Sequence, residues 1–157
     1  MKPNLVIRPS FTVVGMKYHG RNQHNEIPQL WGKFGPHMHE VSHVVHPEVS
    51  YGVMDNFDKA TGEFDYMAAC EVSSLTDIAA GMALKVIPAQ TYAVFPCTMA
   101  SLKQTYDTIY QNCLPSSGYH HGGGPEFELY NERFDPLDIN SEMFIYIPVE
   151  ADGYPSK

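Results

Sequence analysis

The spacing of apolar residues along the chain changes from a period of two to a helical period and back, and it does so in both halves. Residues 5–18, rich in β-branched and aromatic types, predict a strand that breaks or bends near Pro9 and ends at Gly20. Ile27, Leu30, Trp31, Phe34, Met38 and Val41 then fall three or four apart, the stripe of an amphipathic helix. Pro28 is compatible with its first turn, and Gly35-Pro36 predict a stop or kink near Phe34. Strand-like runs follow at 49–54 and Phe64–Val72, and the polar stretch 55–62 between them predicts a hairpin loop.

The order then recurs. Residues 90–99 predict a strand, and Ser101 with Gln104 reads as a capping box opening a helix striped by Leu102, Tyr106, Ile109, Tyr110 and Cys113. Pro115 and Gly118 end it, and strands at 126–131 and 142–150 complete the pattern. Strand, helix, strand, strand thus occurs twice, at an offset of roughly 75 to 80 residues, the scale of a duplicated supersecondary unit. The expectation is a single α+β domain over residues 1–157, with pseudo-repeats at about 1–80 and 81–157. Duplicated βαββ units would form one antiparallel sheet with two helices packed on it and a ligand groove at the pseudo-twofold junction.

Composition narrows the class without changing that outline. A chain of 157 residues with 43% hydrophobic and 18% charged positions fits one domain with a substantial core. Ten Lys and Arg against eighteen Asp and Glu give a net charge of -8, which opposes binding to nucleic acid or to anionic lipid. No apolar run approaches a membrane span and the N-terminal one is too short for a signal peptide, so a cytoplasmic protein is expected. Cys70, Cys97 and Cys113 are odd in number and widely spaced, predicting buried thiols rather than disulfides or a zinc site; no cofactor is expected.

Within the strand at 126–131, Glu126, Glu128 and Tyr130 share one face and Phe127 and Leu129 the other. The apolar pair is expected under the helices, with Glu128 and Tyr130 on the far side and Glu126 at the rim. There Glu128 is either a solvated surface residue or a carboxylate recessed among aromatics. A recessed carboxylate suits a cation, because ring faces add about 0.5–2 kcal/mol each. Burial would also raise its pKa, as a general acid or base requires. Overlaying the halves sets Gly52 where Glu128 stands and Met54 where Tyr130 stands, so Gly52 and Met54 would form the opposing wall. Trp31 either packs in the core or stacks on a ligand, and Tyr66, Tyr92 and Tyr146 either line the pocket or pack the core.

The histidines raise a metal reading. His37, His39, His43 and His46 crowd one segment, and His39-Glu40-Val41-Ser42-His43 matches H-E-x-x-H. Gly35-Pro36 weakens the helix that motif needs and no third ligand is evident, so no metal is expected. His120-His121-Gly122-Gly123-Gly124 lacks the Lys-Ser/Thr or helix that follows a phosphate-binding loop, and reads as a mobile loop bordering the groove. No Ser, Cys or Thr sits in a nucleophile motif.

Pro125-Glu126-Phe127-Glu128-Leu129-Tyr130-Asn131-Glu132-Arg133-Phe134-Asp135, followed by Ser141-Glu142-Met143-Phe144-Ile145-Tyr146-Ile147-Pro148-Val149, resembles the closing signature of the GyrI-like small-molecule-binding domains, also called AraC-type effector-binding domains. Ile87-Pro88-Ala89-Gln90-Thr91-Tyr92-Ala93-Val94-Phe95 resembles the mid-chain strand of that family. Tyr51-Gly52-Val53 and Tyr66-Met67-Ala68-Ala69 resemble its second and third strands. The resemblance covers nearly the whole chain. It implies a bacterial domain that receives hydrophobic, often cationic aromatic compounds at the junction of its halves, with Glu128 at the acidic position. Together with the strand and overlay readings above, the expected ligand-binding set is Glu128, Tyr130, Trp31, Met54, Tyr66, Tyr92 and Tyr146.

Three functions follow from the resemblance: binding or sequestering such a compound, hydrolysing strained cyclopropane-bearing alkylators with Glu128 as the catalytic group, or modulating a protein partner such as DNA gyrase or a regulator. In the family the module is commonly fused to a helix-turn-helix segment. Here the first strand begins within a few residues of Met1, so a stand-alone member is expected and direct nucleic-acid binding is not.

Overall fold

Pro9 and Pro88 each interrupt an otherwise extended run, because proline fixes its own φ and offers no amide hydrogen to a ladder. The computed structural model describes residues 3–153, and in it these two prolines decide the topology. Pro9 separates β1 (Asn4–Arg8) from β2 (Phe11–Gly20), and Pro88 separates β5 (Ala83–Ile87) from β6 (Gln90–Thr98). Between them lie α1 (Glu26–Phe34), a 3-10 turn (Gly35–Glu40), β3 (Ser50–Asp55) and β4 (Phe64–Val72). After β6 come α2 (Leu102–Thr108), a π-helical turn (Ile109–Cys113), β7 (Tyr119–His121), β8 (Glu126–Tyr130) and β9 (Glu142–Ala151).

All strand pairs are antiparallel, in the order β1-β6-β9-β8-β3-β4-β2-β5, with β7 added to the end of β9. The order is the same read outward from the centre in either direction. β3, β4, β2 and β5 form one side and β8, β9, β6 and β1 the other, and Gly52 faces Glu128 where they meet. Each half lends its leading strand to the other: β1 pairs with β6 and β5 with β2. The expected α+β fold, one antiparallel sheet carrying two helices in a duplicated arrangement, is the one observed. The strand expected over 5–18 is two strands in opposite halves of the sheet, and β5 and β7 extend the simple βαββ pattern.

Both helices cover the same face. Leu30 and Phe34 of α1 pack with Val14, Tyr66, Ala68 and Cys70, while Ile109, Cys113 and Leu114 pack with Ala93, Phe95, Ile145 and Ile147. The opposite face bears Val13, Tyr51, Val53, Ile87, Tyr92 and Phe127, each at most 2% exposed although no helix residue joins their cluster. The sheet buries that face by curling on itself. Phe11 and Phe127 lie three strands apart, about 14 Å in a flat sheet, yet their ring centroids are 5.6 Å apart. Arg8 of β1 closes the curl, lying 3.9 Å over the Phe11 ring and donating to Glu71 Oε1 at 3.2 Å and to the Tyr51 hydroxyl at 3.3 Å.

Two local expectations are corrected. The Ser101 side chain makes no capping bond to α2; its hydroxyl instead engages Thr98, accepting from the Thr98 amide at 3.1 Å, which satisfies it within the preceding turn. The stretch His120-His121 is not a free loop but belongs to β7, paired to β9. The first helix does stop at Phe34, where the chain tightens into the 3-10 turn at Gly35-Pro36.

Candidate functional site

β8 runs down the middle of the sheet and is buried on both faces. Its alternation therefore states which residues share a face, but not which face the helices cover. The arrangement is the reverse of the expected one: Tyr130 lies in the helix-covered core with Ile109, Cys113 and Leu114, and Phe127 lies in the cluster on the curled face. Glu128, on the Tyr130 face, is enclosed under the helices and only 5% exposed.

Three tyrosine hydroxyls converge on it. Tyr130 donates to Oε1 at 2.7 Å, Tyr106 of α2 to Oε2 at 3.0 Å, and Tyr66 of β4 to Oε1 at 3.4 Å. The Trp31 indole nitrogen of α1 donates in turn to the Tyr66 hydroxyl at 2.9 Å, and the Trp31 ring meets Tyr130 edge to face at 5.6 Å. Gly52 makes the approach of Tyr66 to Glu128 possible: a Cβ at position 52 would stand 2.1 Å from the Tyr66 hydroxyl oxygen and 3.0 Å from Glu128 Oε1. Met54, half-buried, has its sulfur 3.9 Å from the Tyr106 hydroxyl.

Among the described residues no Lys, Arg or His forms an ion pair with Glu128. Burial dominates its titration and lifts the carboxyl above the usual carboxylate range, while the hydroxyl donors of Tyr130, Tyr106 and Tyr66 oppose the lift. The same burial, with Glu128 beside them, drives the phenols of Tyr66, Tyr106 and Tyr130 well above their ordinary range, so all three remain donors. The result is an anion-capable group held by neutral dipoles, with a half-buried aromatic rim of Trp31 and Tyr106 between α1 and α2.

Of the expected set, Glu128, Tyr130, Trp31, Met54 and Tyr66 come together. Tyr92 and Tyr146 do not: they belong to the curled face with Phe127, whose ring stacks on Tyr146 at 4.6 Å and meets Tyr92 at 5.1 Å. Tyr146 stands on β9, beside β8, and Tyr92 on β6, one strand further out, and both side chains belong to the face away from Glu128. In the sequence Tyr106 is only part of a helical stripe, and its role as a donor to Glu128 depends on the tertiary packing of α2 on the sheet. The H-E-x-x-H match is not on one helix, since the 3-10 turn ends at Glu40, Val41 is extended and His43 has a φ of 63°. His37 pairs with Glu40, and His43 with Asp77 at 3.2 Å. A cavity of about 180 Å³ is lined by Lys17, Asp55, Asn56, Asp65, Tyr66 and Lys85 among others, and Glu128 is not part of its lining. Among the described residues no helix is long and apolar enough to cross a membrane.

Comparison with known proteins agrees with this fold. The chain is 40% identical over 152 residues to the transcriptional regulator BrlR of Pseudomonas aeruginosa, covering 95% of this chain and 56% of the regulator. It thus spans little more than half the length of that relative. Among solved structures, SAV2435 bound to tetraphenylphosphonium superposes with a TM-score of 0.76 at 20% identity, over 96% of this chain and 94% of that one. An integron cassette protein of Vibrio cholerae superposes with a TM-score of 0.66 at 17% identity, over 95% and 96% of the two chains. At these identities the structures show a shared fold. The model of the integron-associated effector binding proteins matches residues 4–149, nearly the whole chain, and the protein belongs to that family.

Proposed function

We propose that residues 1–157 form one effector-binding domain that takes up a hydrophobic, cationic aromatic compound between α1 and α2, with Glu128 as its counter-ion. The observation that carries this reading is a carboxylate that is 5% exposed, held by three hydroxyls and, among the described residues, paired with no cation. Burying a charge without a partner costs several kcal/mol, roughly, and a lipophilic cation supplies the partner without being strongly hydrated itself. Trp31, Tyr66, Tyr106 and Tyr130 supply aromatic rings whose faces attract such a cation. The described arrangement is closed over Glu128, so entry requires Tyr106 or Trp31, the half-buried groups of the rim, to turn aside. The similar fold of a protein bound to tetraphenylphosphonium supports a ligand of this kind, and the likeness to a regulator supports a role in sensing.

Titration with tetraphenylphosphonium and with triphenylphosphine oxide, a neutral compound of related shape, tests the charge argument. Glu128→Gln is expected to weaken the cation by about tenfold or more and the oxide by less than about twofold. Equal losses for the two would remove it. The lifted carboxyl of Glu128, with Tyr130 at 2.7 Å, also favours a second reading in which the group moves a proton during hydrolysis. Product formation from a cyclopropane-bearing alkylator, abolished in Glu128→Gln, would establish that reading.

A further inference from the structure

Two residues before Glu128, and on the same face of β8, stands a second carboxylate with the same kind of partner. Tyr110 donates its hydroxyl to Glu126 Oε2, and His121 Nε2 lies 3.7 Å from that oxygen. The Tyr110 and His121 rings are nearly parallel, at 19°. Tyr106 and Tyr110 lie one helical turn apart, about 6 Å along a helix, and Glu126 and Glu128 lie one strand repeat apart, about 6.7 Å. The two spacings match, so one turn of the helical segment presents successive phenols to successive carboxylates of the strand.

The carboxylates differ in access. Glu128 is enclosed, whereas the Glu126 side chain is 19% exposed and its partner Tyr110 is 41% exposed. Among the described residues no Lys or Arg pairs with either one. Glu126 is therefore the more exposed of two carboxylates on one face of β8, each meeting a phenol of the same helical segment, with an imidazole beside the outer one.

We infer that the preferred effector class is a dicationic aromatic with its two basic nitrogens about 6.7 Å apart, the inner one on Glu128 and the outer one on Glu126. This rests on the reading of Glu128 as a cation anchor. A donor on the second nitrogen replaces the Tyr110 hydroxyl or shares Glu126 with it, gaining a charge-assisted hydrogen bond that a monocation cannot make.

The test is displacement of rhodamine 6G by three amines on the same ring: para-xylylenediamine, its ortho isomer and 4-methylbenzylamine. The para diamine is expected to compete about tenfold better than the monoamine, the scale of one hydrogen bond between charged groups. The ortho isomer, whose ammoniums are too close together to span both carboxylates, is expected to match the monoamine. Glu126→Gln, which keeps size and shape, should remove the para advantage and leave 4-methylbenzylamine and rhodamine 6G within about twofold. Equal competition by all three amines in the wild-type chain, or equal weakening of all by Glu126→Gln, overturns the inference while leaving Glu128 as an anchor. Failure of rhodamine 6G and every amine to bind overturns the anchor itself, and the inference with it.

Discussion

Replacing Glu128 by Gln should make the empty protein more stable at neutral pH while weakening its affinity for cations. The carboxylate accepts hydrogen bonds at 2.7, 3.0 and 3.4 Å, the first two short enough to count fully, and it has no cationic partner among the described residues. Against those bonds stands the cost of burying an ion, several kcal/mol per charge even after relaxation, roughly. Burial is the larger effect, because the carboxyl titrates above rather than below the usual range. An acid whose pKa is raised on folding contributes stability that is fully present below its unfolded pKa and lost as pH rises through its folded pKa. A glutamine keeps the shape and one acceptor and never ionises, so it escapes that loss.

The expected gain is about 1–3 kcal/mol above the folded pKa of Glu128. At about 2–4 °C per kcal/mol for a chain of this size, the melting temperature of Glu128→Gln should exceed that of the wild type by roughly 6 °C at pH 8. The difference should shrink as pH falls through the folded pKa toward 4, where the wild-type group is protonated too. Scanning calorimetry of the unliganded proteins from pH 4 to 8 measures this directly. A glutamine variant less stable than the wild type at pH 8 would show that the hydroxyl bonds outweigh desolvation, and would refute the reasoning.

Other substitutions probe the geometry separately. Gly52→Ala places a Cβ 2.1 Å from the Tyr66 hydroxyl oxygen and should cost about 1–3 kcal/mol in chemical denaturation, with loss of cation binding because Tyr66 is displaced from Glu128. Tyr106→Phe removes the 3.0 Å donor to Glu128, so the carboxyl pKa should rise further, read by NMR, with a stability loss of about 1.5–3 kcal/mol at pH 8 that fades in acid. Tyr92 is fully buried, its phenol is pushed up to about 12 by burial, and its hydroxyl has no hydrogen-bond partner among the described residues. Tyr92→Phe should therefore be neutral or stabilising by up to about 1 kcal/mol, with tetraphenylphosphonium affinity unchanged; a large loss of affinity would contradict its place on the curled face.

The alternation of apolar and polar residues by itself specified the strand Phe64–Val72, the two helical stripes, the stop near Phe34 and the recurrence of one element order in both halves. It also set Glu128 and Tyr130 on one side of their strand, because side-chain direction in a strand is a local property of the backbone, and the recurrence of the halves set Gly52 among the opposing residues. What covers a face is not local. Both faces of β8 are buried, one by helices and the other by the curl of the sheet, so its pattern is compatible with either assignment. Only the tertiary structure put Glu128 under α1 and α2, moved Tyr92 and Tyr146 to the other side, and brought Tyr106 from a different element to complete the ring of hydroxyls. The same holds for the strands flanking Pro9, whose sequence announces a break while the pairing of distant residues decides that the pieces lie in opposite halves of one sheet.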